Sequence, residues 1–85
     1  MAKWDKIAVE FLQKLQEEDL QLAKIIFASI KRLERKPSLG QYARDSRYYY
    51  NDTEYGFTIG YNFHPDSVSN EIEVVYILRK DFKLH

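Results

Sequence analysis

The sequence predicts an α+β domain in which an N-terminal antiparallel helical hairpin packs on one face of an antiparallel sheet of three or four strands. Three observations carry this expectation. Apolar residues recur at helical spacing in two consecutive stretches of the N-terminal half, and the spacing then changes to strict alternation in the C-terminal half. All seven tyrosines lie after residue 41, as expected if that half is strand-forming.

The first helix is read over Trp4 to Leu15, where Trp4, Ile7, Ala8, Phe11, Leu12 and Leu15 fall at i, i+3 and i+4 and make one buried stripe. Asp5 can cap its first turn or complement its dipole. The polar run from Gln16 to Asp19 interrupts the pattern, with Asp19 as the N-cap of a second helix. The second stripe runs through Leu22, Ile25, Ile26, Ser29, Ile30 and Leu33. Lys31, Arg32, Arg35 and Lys36 sit near its negative end, and Pro37 stops it. At this spacing Trp4, Phe11 and Phe27 read as core. Two such helices cannot cover each other completely, so a sheet must pack against them.

Tyr55, Phe57, Ile59, Tyr61 and Phe63 alternate with Gly56, Thr58, Gly60 and Asn62, which predicts a half-buried strand with its odd-numbered side in the core. The run from His64 to Asn70 is a turn by composition. Glu71 to Arg79 is the return strand, with Ile72, Val74, Tyr76 and Leu78 on one side and Glu71, Glu73, Val75, Ile77 and Arg79 on the other. A third strand over Arg47–Tyr50 precedes them, joined by a turn at residues 51–54. Tyr49 then faces away from Tyr48 and Tyr50.

Length and composition narrow the function classes. The chain has 85 residues and 45% apolar content, which fits a single domain over residues 1–85 that buries about 60% of its unfolded surface. It has no cysteine, so disulfides, thiolate catalysis and cysteine-based metal sites are excluded. No stretch resembles a signal peptide or a membrane span, and a cytoplasmic protein is expected. The balance of 13 Lys+Arg against 13 Asp+Glu removes the global basicity of many nucleic-acid binders. Local charge is uneven: residues 1–30 carry −1, 31–50 carry +4, 51–76 carry −5 and 77–85 carry +2, which sums to zero. Two basic segments thus bracket an acidic hairpin. They form one patch if the tail folds back beside the loop at 38–47, and otherwise are a solvated helix end and a charged tail.

Candidate chemistry is sparse. His64, Asp66 and His85 lack the convergent third and fourth ligands that zinc requires, and neither a metal nor a cofactor is expected. No glycine-rich phosphate loop or nucleophile–His–acid set can be drawn. Arg44 and Arg47 stand among Tyr42, Tyr48, Tyr49 and Tyr50, and guanidinium groups beside aromatic rings are what single-stranded RNA stacks on and pairs with. The alternative for each tyrosine is packing in or at the rim of a small core. Gly56 and Gly60 leave the outward sheet face low, so a ligand or partner can approach the backbone there, or the face is ordinary solvated sheet. Arg79, followed by Lys80, Lys83 and His85, supplies a cation that can hold a phosphate and a histidine that can move a proton, or a frayed charged tail. Val75 and Ile77, expected on the open face, suggest a covered surface. The cover is a partner segment, a second copy, or the chain's own tail through Phe82 and Leu84.

The order of these features, with the exit from Leu33 to Pro37, the strand Phe57-Thr-Ile-Gly-Tyr-Asn-Phe63 and the strand Val74-Val-Tyr-Ile-Leu-Arg79, resembles the RelE/ParE superfamily of small bacterial toxins. The resemblance spans nearly the whole chain and rests on hydrophobic pattern and turn positions. It implies a short first strand at Ala2–Trp4. It also implies a toxin of a toxin–antitoxin pair, acting as a metal-independent endoribonuclease on messenger RNA at the ribosome. Under it Arg79 and His85 are the catalytic residues, Arg44, Arg47, Tyr49, Lys80 and Lys83 bind RNA, and Val75, Ile77 and Phe82 meet the antitoxin. The family's strand arginine falls on Thr58 here. The alternatives are a catalytically inactive, protein-binding member of the fold and a gyrase-directed toxin that does not cut RNA.

Overall fold

A computed structural model describes residues 3–64 and 71–79. In chain order the elements are β1 (Lys3–Trp4), α1 (Lys6–Glu18), α2 (Leu20–Arg35), a short 3-10 turn (Pro37–Leu39), β2 (Gln41–Arg44), β3 (Arg47–Asp52), β4 (Phe57–Phe63) and β5 (Ile72–Arg79). Two helices lie on one face of a single sheet with strand order β1-β5-β4-β3-β2. The α+β architecture is the expected one, but among the described residues the sheet has five strands, and β1 runs parallel to β5 while the other neighbours are antiparallel. Among the described residues β1 pairs through Lys3 with Glu73 and Trp4 with Val74.

Capping explains the helical hairpin. Trp4 is drawn into β1, the Asp5 N–H donates to the Val74 carbonyl at 2.8 Å, and the Asp5 carboxylate accepts from the Ile7 N–H at 3.0 Å, so α1 starts after Asp5. Asp19 forms the whole joint: its N–H donates to the Leu15 carbonyl at 2.7 Å and its carboxylate accepts from the Leu22 N–H at 3.1 Å. The buried stripes are Ala8, Leu12 and Leu15 on α1, and Leu22, Ala23, Ile26, Ser29, Ile30 and Leu33 on α2. Phe27, expected in the core, is 46% exposed and stacks on Trp4 with ring centroids 6.3 Å apart.

Phe57, Ile59, Tyr61 and Phe63 of β4 are buried, as alternation requires. Tyr55 belongs to the preceding turn, which occupies residues 53–56: Gly56 has φ 75°, its N–H donates to the Asp52 carbonyl at 3.0 Å, and the Asp52 carboxylate accepts from the Tyr55 N–H at 2.8 Å. The strand triplet splits as expected. Tyr48 stacks on Tyr61 at 5.6 Å and Tyr50 packs against the core, while Tyr49 pairs with Gly60 on the other face.

Tyr61 ties the exit of α2 to the sheet. Its hydroxyl donates to the Pro37 carbonyl at 2.5 Å and accepts from the Gly40 N–H at 3.0 Å, and a Cβ on residue 40 would collide with that hydroxyl. Burial raises its pKa above the ordinary 10.0, the Gly40 N–H pulls it back, and Tyr48 raises it further.

Candidate nucleic-acid interface on the open sheet face

Two irregularities in strand pairing decide which side chains reach the face away from the helices. On β2, Tyr42 pairs with Tyr48 and Arg44 pairs with Arg47, so Ala43 is an extra residue. On β5, Val74 pairs with Tyr61 and Tyr76 pairs with Gly60, so Val75 is extra. Each bulge reverses the side on which the rest of its strand presents alternate residues. The first brings Arg44 beside Arg47, and the second turns Tyr76 outward over Gly60.

The bulge on β5 corrects the sequence expectation at four positions. Tyr76 and Leu78, expected in the core, are 36% and 57% exposed, while Ile77 is only 2% exposed and offers no surface to a partner. Arg79, expected beside Thr58 on the open face, pairs with Phe57 on the helix side and is half-buried. The cause is steric: glycine at position 60 leaves room for a tyrosine ring directly over the backbone, and the extra residue before that ring restores inward-facing Ile77. An isolated glycine inside a strand was the one sequence signal of this slip.

A hollow of about 410 Å³ on the open face is lined by Arg44, Arg47, Tyr49, Asn62, Val75 and Tyr76, together with Ala43, Tyr48 and Tyr61. It therefore unites three of the five expected RNA-binding residues and adds Tyr76, which alternation had placed inside. Val75 lines this hollow as well. Lys80, Lys83, Phe82 and His85 lie outside the described residues, as does Asp66 of the considered metal set. His64 is exposed, and among the described residues no three His, Asp or Glu converge.

The electrostatics at this end of the sheet are unusual. Arg44 and Arg47 face each other directly across β2 and β3, an arrangement that is destabilising for like charges. Their connecting residues Asp45 and Ser46 both have positive φ, 49° and 68°, as the tight two-residue hairpin turn requires. Asp45 lies 3.6 Å from Arg44 Nε, but both side chains are largely exposed and the pair is weak. Asn62, opposite Arg47, donates to Glu73 at 3.4 Å, which leaves a carboxylate on the far side of the hollow. Two cations with two tyrosine rings beside them can hold a phosphate and stack a base.

Thr58 also lies on the open face, where its hydroxyl donates to Asn51 at 2.5 Å. Arg79 is not brought to the hollow. Its partner Phe57 lies five positions before Asn62 on β4, roughly 17 Å along the strand, and the two side chains belong to opposite faces. No helix of the described residues is long and apolar enough to cross a membrane.

No family model matches the sequence, and no curated protein matches it. Among solved structures the chain is similar to the isolated RelE toxin of E. coli, with a TM-score of 0.75 over 98% of this chain and 86% of that one, at 10% sequence identity. The fold is therefore RelE-like.

Proposed function

We propose that this protein is the toxin-like component of a cytoplasmic toxin–antitoxin pair and acts on messenger RNA at the ribosome through the open face of its sheet. The observation that carries this reading is the juxtaposition of Arg44 with Arg47 beside Tyr49 and Tyr76. A like-charged pair held across a tight turn gains a partner when a phosphate enters between the two guanidinium groups. Tyr49 and Tyr76 offer ring faces to a base at the same place. The RelE-like fold supports the toxin reading, and an antitoxin is the partner it implies.

Cleavage is the finer part of the proposal and needs no metal: the reacting phosphate would lie at the end of β5, apart from the hollow that holds the strand, with Arg79 stabilising its charge and His85 moving the proton. A non-catalytic member of the fold is the second reading. It is favoured by Thr58, which stands where the resemblance calls for arginine and is engaged with Asn51, and by the helix-side position of Arg79.

Amino-acid incorporation in cells induced for the chain tests both readings. The proposal expects a fall with the intact chain and recovery with the Arg44→Gln, Arg47→Gln variant. Recovery with Arg79→Ala, His85→Ala, together with loss of cut messenger ends, assigns the effect to cleavage. A fall that survives Arg79→Ala, His85→Ala assigns it to blocking. No fall with the folded intact chain overturns the toxin reading and leaves a binding module.

A further inference from the structure

The open face carries a register relationship that phosphate binding and stacking do not use. Arg44, Arg47, Asn62, Glu73 and Lys3 are successive cross-strand partners, so one residue from each described strand stands in a single row across the sheet. Asn62 lines the hollow, and its Nδ2 donates to Glu73 Oε1 at 3.4 Å. Lys3, at the end of the row, reaches Glu71 at 4.0 Å. The row thus runs from two cations to a carboxylate, and Glu73 stands two strands from Arg47, about 10 Å at the usual strand spacing. That is the span from the 5′-phosphate of a nucleotide to the far edge of its base. The ring of Tyr76 lies over Gly60 in the neighbouring row, on the strand that separates the two ends.

We infer that Glu73 reads the base of the RNA held in this hollow and selects guanine; the inference rests on the proposed RNA site and names the base it takes. Neither of the other two contacts can choose a base. Arg44 and Arg47 meet a phosphate that every nucleotide carries, and a tyrosine ring stacks on any base because each has a π-face. Glu73 can choose, because an ionised carboxylate only accepts hydrogen bonds, and its two oxygens offer about four lone-pair sites, more than the Asn62 amide uses. Guanine presents adjacent N1–H and N2–H donors on its Watson–Crick edge and meets both oxygens. Adenine and cytosine each offer one amino group there beside a ring nitrogen that is an acceptor. Uracil offers one N–H flanked by two carbonyl oxygens that the carboxylate repels. The negative charge also fixes the strand's orientation, since it turns phosphates toward Arg44 and Arg47 and bases toward β5. The alternative is that Glu73 serves only to hold Asn62 in place, and Glu73→Gln separates the two roles: a glutamine oxygen still accepts from Asn62, but its amide group pairs with adenine rather than with guanine.

Isotope-labelled full-length protein is titrated with short oligouridines that carry one central guanosine, adenosine, cytidine or inosine, or none, all 2′-O-methylated so that they cannot be cut. The guanosine oligonucleotide is expected to shift the amides of Asn62, Glu73 and Tyr76 and to bind roughly tenfold more tightly than plain oligouridine. Inosine, which lacks the N2 amino group, falls between them. Glu73→Gln removes the guanosine preference and makes adenosine the best bound, an exchange that a merely structural role would not produce. The inosine comparison uses the parent chain and carries the test if Glu73→Gln fails to fold. Equal affinity for all the oligonucleotides, lost on Arg44→Gln with Arg47→Gln, overturns the base reading and leaves the RNA site standing. So does a guanosine preference that survives Glu73→Gln, an inosine oligonucleotide bound as tightly as the guanosine one, or a Glu73→Gln variant that weakens every oligonucleotide alike. No binding of any of them by the folded parent overturns the RNA site itself, and the base reading with it.

Discussion

The ring of Tyr76 lies across Gly60, its partner on the neighbouring strand, so closely that a Cβ on residue 60 would collide with Cδ2, Cε2 and Cζ of that ring. The contact holds the tyrosine ring over the backbone of Gly60, in a lining shared with Arg47 and Tyr49. Gly60→Ala is expected to swing the ring away. Because Tyr76 is 36% exposed and can rotate outward, the loss of stability should be about 1 kcal/mol, at the low end for overpacking. RNA affinity should fall as it does for Tyr76→Ala. Urea denaturation and RNA titration of the two variants check this; an alanine variant that binds RNA like the parent would remove Tyr76 from the site.

The β5 bulge makes an unambiguous prediction for adjacent residues. Ile77→Ala should destabilise by about 2–5 kcal/mol, as a core truncation does. Leu78→Ala, at 57% exposure, should stay within about 0.5 kcal/mol. Uninterrupted alternation from Ile72 predicts the opposite order, so two denaturation curves decide the register.

Tyr61→Phe should cost about 1–3 kcal/mol near neutral pH, since it leaves the Pro37 carbonyl and the Gly40 N–H without their partner. The effect has a pH signature. The folded-state pKa is raised, chiefly by burial, so the stability from the neutral phenol is fully present below the unfolded value of 10.0 and is lost as pH rises through the folded value. The gap between parent and Tyr61→Phe should therefore narrow above about pH 10. Denaturant midpoints measured from neutral to alkaline pH check the sign.

Asp19 serves two helices at once, with its N–H closing α1 and its carboxylate opening α2. Asp19→Ala removes only the second role and should cost about 0.5–2 kcal/mol, whereas Asp19→Asn should be nearly neutral. Thermal melts of both variants separate the cap from a general loss of charge.

What the sequence disclosed follows from where its signals are repeated. The helix stripes and the Phe57–Phe63 alternation each use several residues in register, and Asp5 and Asp19 mark helix starts through short-range bonds that their neighbours reveal. β1 and β2 have two and four residues and exposed or edge positions, too little pattern to announce a strand. The bulges at Ala43 and Val75 are single insertions whose effect is global to the strand, and only Gly60 hinted at one of them. Arg44, Arg47 and Tyr49 were legible as chemistry. Their meeting with Tyr76, and the separation of Arg79 from them, depend on pairing register and become visible only in the folded sheet.

Binding of RNA in the Arg44–Arg47 hollow is tested by the affinity of a labelled single-stranded RNA as a function of salt. Arg44→Gln with Arg47→Gln should weaken binding and reduce the slope of log affinity against log salt by about 1.4, two phosphate contacts' worth. The same variant should keep or slightly raise stability, by about 0.2–1 kcal/mol at low salt, because two facing cations are relieved. An unchanged affinity and slope in a folded double variant would mean that RNA does not bind in the hollow.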